Sequence, residues 1–171
     1  MEKFLRYDAP AKAFEEALPL GNGSLGAVIY GKTDIERISL NHDTLWSGKP
    51  GQFMVEDARE SFEKAKALTL EGKFYEAQVE IERGFTGPWL NSYMLLGTLY
   101  IERDGSSSNP KNYSRVLDLE NSLASVSYTE DGIDFKREYL VSHPHNCVMV
   151  KLSSSKPVSY KLKGDCVGKS A

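Results

Sequence analysis

A chain of 171 residues, 40% of them hydrophobic, is long enough for one ordinary domain with its own core, which excludes wholesale disorder. Its net charge of −3 leaves no footprint for nucleic acid or an anionic membrane, and neither partner is expected. No apolar run approaches the ~20 residues of a membrane span, and the opening Met1-Glu2-Lys3-Phe4-Leu5-Arg6 lacks the apolar stretch of a signal peptide, so a cytoplasmic location is expected. Cys147 and Cys166 are then free thiols, with Cys147 read as a small buried hydrophobe.

In chain order, residues 1–20 read as extended, with Phe4, Leu5 and Tyr7 as apolar anchors and Pro10 and Pro19 as breaks. Gly21, Gly23 and Gly26 satisfy the spacing G-x-G-x-x-G, but a dinucleotide site needs a helix after it. Ala27-Val28-Ile29-Tyr30 follows instead, β-branched and ended by Gly31, so the glycines predict a tight turn feeding a strand. Strands are predicted over Leu25–Tyr30 and Ile35–Leu40, separated by Gly31-Lys32-Thr33-Asp34. Which face of the second is buried stays open, because its alternation is imperfect. A polar loop, Asn41-His42-Asp43-Thr44-Leu45-Trp46-Ser47-Gly48, closes the stretch.

Between about 55 and 84 the period changes. Val55, Ala58, Phe62, Ala65 and Leu68 recur at helical intervals, Gly72 interrupts, and Phe74, Ala77 and Ile81 continue until Gly84, read as the stop. This is an inserted helical hairpin, expected to cover a sheet face. A loop with an exposed indole follows at Gly87-Pro88-Trp89-Leu90-Asn91. Strands are then predicted over Leu95–Glu102, Val116–Leu119, Ala124–Thr129, Ile133–Val141, Cys147–Leu152 and Val158–Leu162, with a polar loop over Asp104–Asn112. Glu130-Asp131-Gly132 is the strongest turn signal. Ile133, Phe135, Arg137 and Tyr139 share one face. Strand spacing of ~8–12 residues predicts an antiparallel β-sandwich. The last strand leaves an open edge, so the domain reads as incomplete at its C-terminal end.

Several residues could carry chemistry. His143 and His145 could begin a zinc site, but no third ligand stands near, so no metal or other cofactor is expected. Glycoside hydrolysis needs two facing carboxyl groups. Glu15, Glu16, Glu36 and Asp43 are candidates, and Asp43, beside His42 and Trp46, is the best of them. The competing role for Asp43 is a turn in which its side chain bonds local backbone. Trp46 and Trp89 could stack on a sugar ring or pack in a core or interface, and both roles stay open.

Ala17-Leu18-Pro19-Leu20-Gly21-Asn22-Gly23-Ser24-Leu25-Gly26 and Glu36-Arg37-Ile38-Ser39-Leu40-Asn41-His42-Asp43-Thr44-Leu45-Trp46-Ser47-Gly48 resemble the opening of glycoside hydrolase family 95, the α-L-fucosidase family. The likeness continues through Glu71–Gln78, Leu96–Tyr100, Tyr113–Leu119, Val126–Tyr128, Gly132 and Arg137-Glu138, and so spans nearly the whole chain. At His42 the family usually has Glu. The resemblance implies an N-terminal β-sandwich of the supersandwich type over residues 1–171, followed in such enzymes by an (α/α)6 barrel. That barrel supplies the acid and base of an inverting mechanism and has no counterpart here. On this reading the chain holds no catalytic residue. Its partners are the barrel and a fucosylated glycan, and Asn41, Asp43, Trp46 and Trp89 border the sugar or the domain interface. The alternative is a free-standing sandwich that binds a glycan or protein without catalysis. Absence of the barrel would expose an apolar patch at Trp46 or Trp89 and favour self-association.

Overall fold

The computed structural model describes residues 3–49, 55, 58–85, 87, 91–106 and 109–166. The chain divides into two compact units, Met1–Leu45 with Met94–Ala171, and Trp46–Tyr93.

The first unit is an antiparallel β-sandwich. One sheet holds β1 (Phe4–Tyr7), β6 (Lys111–Asp118), β7 (Leu123–Glu130), β8 (Ile133–Ser142) and β9 (Cys147–Ser154), in that spatial order. The other runs β10 (Tyr160–Asp165), β5 (Gly97–Arg103), β4 (Ile35–His42), β3 (Leu25–Ile29) and β2 (Leu18–Gly21). Alternating side chains of both sheets form the core, as the period of two dictates. Leu18, Ile29, Ile38 and Ile101 face Val126, Tyr128, Phe135 and Tyr139. The turn from β7 to β8 contains two residues, Asp131 (φ 53°) and Gly132 (φ 70°), both in the left-handed region that a tight hairpin requires.

Four expectations need correction. Phe4, Leu5 and Tyr7 are exposed on the edge strand β1 rather than anchored. Strand β6 begins at Lys111, inside the stretch read as polar loop, because backbone pairing with β7 outweighs the weak β propensity of its polar residues. Cys147 is only half-buried and Cys166 is exposed. Gly84 does not stop its helix, which runs on to Phe85.

The second unit carries α1 (Ala58–Leu70) and α2 (Phe74–Phe85). Gly72, with φ 78°, ends α1. The Lys73 N–H donates to Leu68 O at 2.9 Å and the Gly72 N–H to Thr69 O at 3.1 Å, a cap that only a left-handed residue permits cheaply. Gly84 instead lets the helices touch, since a Cβ there would collide with the Ser61 side chain. Glu80 receives Lys64 Nζ at 2.9 Å and Arg83 Nη2 at 2.8 Å, an ion-pair clasp across the hairpin. Phe62, Leu70, Phe74 and Ile81 line an open groove of about 530 Å³ between the two helices.

The sandwich interior also contains charge. Glu36 points inward from β4 because its alternation puts it in phase with Ile38, which resolves which face of that strand is buried. Its carboxylate meets Arg137 Nη1 at 3.0 Å and accepts from Tyr139 OH at 2.8 Å, both residues lying on β8. It also accepts the Gly31 N–H at 2.8 Å and the Arg37 N–H at 3.1 Å. Burial pushes the Glu36 carboxyl above its ordinary range, against the pull of Arg137 and of these donors. Arg103 of β5 forms a second buried inter-sheet ion pair with Glu130 of β7.

Candidate functional site

The polar loop grows out of β4. The β3–β4 ladder runs to Leu25 opposite His42, and the Asp43 N–H extends it by donating to Ser24 O at 3.0 Å. The chain then turns, with the Leu45 N–H donating to His42 O at 3.1 Å.

This geometry gathers a hydroxyl, an imidazole and a carboxylate. Ser24 Oγ lies 3.2 Å from His42 Nε2 and donates to Asp43 Oδ1 at 3.1 Å. His42 Nδ1 lies 3.1 Å from that same carboxylate oxygen and 2.9 Å from Thr44 Oγ1. The trio has the composition of a nucleophilic triad, with the hydroxyl at Nε2 and the carboxylate at Nδ1, but the same Asp43 oxygen also takes the Ser24 hydroxyl directly. The Thr44 N–H also meets His42 Nδ1, at 3.3 Å, so that nitrogen is approached by the Thr44 N–H, the Thr44 hydroxyl and the Asp43 carboxylate. The Ser24 hydroxyl donates to Asp43, so the carboxylate bonds the hydroxyl as well as approaching the ring. The cluster therefore fastens the loop to the turn before β3.

That turn is centred on Asn22. Its Oδ1 accepts the Ser24 N–H at 3.0 Å and the Leu25 N–H at 2.7 Å. Its Nδ2 donates to Ser142 O and to Asn146 Oδ1, each at 3.0 Å. One amide thus closes the glycine-rich turn and ties it to the β8–β9 turn of the opposite sheet. All four of its bonding positions are in use. The glycine spacing serves this turn and no phosphate site.

The sequence-predicted residues separate as follows. Asn41 and Asp43 lie in the sandwich unit, Asn41 half-buried at the end of β4 and Asp43 exposed on the loop. Trp46 opens the second unit, exposed and bridged to Tyr93. Trp89 lies outside the described residues. Glu36, a candidate carboxylate, is fully buried in the ion pair with Arg137, where no sugar can reach it. Asn22, Ser24, Asn146 and Tyr93 were missed. For Asn22 a signal existed, since an Asx residue between glycines commonly bonds the backbone two residues on. Ser24 and Tyr93 had none, because their partners are distant in sequence.

The fold is an antiparallel sandwich with paired charges in its interior and the Ser24–His42–Asp43 cluster at the loop that follows β4. Residues 5–169 match the family described as glycosyl hydrolase family 65, N-terminal domain, and the chain belongs to that family. Its curated relatives include "Alpha-L-fucosidase 2" of Arabidopsis thaliana, 34% identical over 161 residues, covering 93% of this chain and 19% of that protein. "Probable alpha-fucosidase A" of Aspergillus niger is 32% identical over 143 residues, covering 81% of this chain and 18% of that protein. A protein of the same name from Aspergillus oryzae is 29% identical over 153 residues, covering 84% and 20% respectively. The chain spans about a fifth of the length of these relatives.

Proposed function

We propose that this chain is the non-catalytic N-terminal domain of an inverting α-L-fucosidase of glycoside hydrolase family 95, supporting a helical-barrel catalytic domain. The observation that carries the reading is a match over nearly the whole chain to a glycosyl hydrolase N-terminal domain, joined to relatives named fucosidases of which it spans a fifth. The chemistry agrees. Hydrolysis with inversion needs two carboxyl groups separated by room for a water, and here Glu36 is sequestered in the core while Asp43 is bonded to Ser24. The loop Asn41–Trp46 borders the sugar site or the barrel, the glycan is fucosylated, and without the barrel the exposed Trp46 promotes self-association.

The test is hydrolysis of a 2′-fucosylated oligosaccharide by a polypeptide that continues this chain through the reading frame following it, with the product anomer read by proton NMR. Release of β-L-fucose is expected. Release of the α-anomer removes the inverting mechanism. No hydrolysis removes the fucosidase reading and favours a sandwich that only binds.

A further inference from the structure

We propose that the Trp46–Tyr93 pair, with the Asn91 amide beside it, is a stacking platform for one sugar ring of a glycan; this rests on the glycosidase-domain reading above.

All the platform residues belong to the unit Trp46–Tyr93. Trp46 and Tyr93 face each other in an antiparallel bridge. The Ser47 N–H donates to Ser92 O at 2.8 Å on one side of the bridge, and the Met94 N–H donates to Leu45 O at 2.9 Å on the other. The bridge is therefore a non-hydrogen-bonded pair, the register in which facing side chains come closest. Their ring centroids stand 5.0 Å apart with the planes tilted by 55°. The backbone register fixes both rings, and each stays about half exposed, Trp46 at 52% and Tyr93 at 46%.

Two residues along each arm, Gly48 faces Asn91. The Asn91 amide lies within 2.6–2.8 Å of the point where a Gly48 Cβ would stand, so only a residue without a side chain admits it there. The platform thus offers a tilted apolar wedge with a carboxamide at its margin. A pyranose matches this chemistry. Its C–H face covers an aromatic ring, and its rim hydroxyls both donate and accept, as an amide does. A protein partner matches it less well, since a stable protein interface buries roughly 1,000 Å² or more and two half-exposed rings provide a small part of that.

Titration of the 171-residue chain with 2′-fucosyllactose, followed by the indole N–H signals in a ¹⁵N-resolved NMR spectrum, tests the proposal. A saturable shift of the Trp46 indole is expected. Trp46→Ala or Tyr93→Ala should weaken binding about tenfold, the scale of one lost aromatic contact, while Trp46→Tyr retains most of it. Should Trp46→Ala fail to fold, the exposed Asn91→Ala serves, with weakening of about fivefold expected for a lost hydrogen bond. At constant protein concentration, an unmoved Trp46 signal or binding unchanged in the alanine variants would each overturn the platform. Failure of the domain reading shows separately, as a sugar-dependent shift here without hydrolysis by the longer polypeptide.

Discussion

Replacing Arg137 with Met leaves the Glu36 carboxylate in the sandwich core without its cation. Glu36 is fully buried and the Arg137 side chain is only 4% exposed, so solvent screens neither. Breaking a buried pair by removing one partner costs about 3–5 kcal/mol, a large fraction of the roughly 5–15 kcal/mol that holds a domain together. Arg137 also donates to Lys32 O and lies over the Tyr128 ring, which places the expected loss in the upper half of that range. The double variant Glu36→Leu/Arg137→Met removes both charges and should be less destabilised than the sum of the single changes by about 2 kcal/mol. The effect should also depend on pH. The folded value of Glu36 is raised above its ordinary 4.5, so its contribution is fully present below 4.5 and is lost as pH rises through the folded value. Without Arg137 the folded value rises further, because the attraction opposing burial is gone. The deficit of Arg137→Met should thus be greatest at neutral pH and shrink toward pH 4.5. Urea unfolding followed by the far-UV circular dichroism of the sheets measures all of this, and Glu36→Gln substitutes if Arg137→Met does not fold. Single effects that add in the double variant, or a deficit that grows on acidification, would mean that Glu36 and Arg137 do not act as a buried ion pair.

Other perturbations probe the remaining joints. Gly31→Ala should cost about 3 kcal/mol or more, because Gly31 has φ 75° and a Cβ would lie 2.6 Å from Arg115 Cδ as well as against Tyr113 Oη; thermal unfolding reads it. Asn22→Ala should lower stability by about 2–3 kcal/mol by opening the glycine turn and its tie to Ser142 and Asn146, measured by urea unfolding, with Asn22→Asp also destabilised because a carboxylate would face Ser142 O. Asp118, whose Oδ1 accepts from the Glu120 and Asn121 N–H groups while Oδ2 accepts from the Asn121 amide, is held below its ordinary 3.8, first by the Asn121 side chain. Its contribution is present above 3.8 and lost as pH falls through the folded value, so Asp118→Asn should flatten the acid limb of the stability profile.

Most of the sandwich is legible in the sequence because its strands alternate. Ile133, Phe135, Arg137 and Tyr139 share a face, and the Asp131-Gly132 hairpin fixes the register from which they point inward. The helical hairpin is legible from its period and from Gly72. What the strand pattern hides is charge in the core. Glu36 and Arg137 are in phase with apolar neighbours, yet only the packing of the two sheets shows them to be partners 3.0 Å apart. The same limit applies to the candidate site. Asp43 stands out as a loop carboxylate, but its bond to Ser24 and the tie from Asn22 to Asn146 join residues far apart in the chain. Lys111–Arg115 escaped because polar residues form a strand there under the control of the neighbouring strand's register.

On the proposed function, this chain supports hydrolysis without performing it. The most direct measurement is the rate at which the purified 171-residue chain releases fucose from 2′-fucosyllactose, beside that of the longer polypeptide at equal concentration. Release by the chain at the uncatalysed background, with turnover confined to the longer polypeptide, is the predicted result. Turnover by the chain alone that disappears in Asp43→Asn would contradict the account and return Asp43 to a catalytic role.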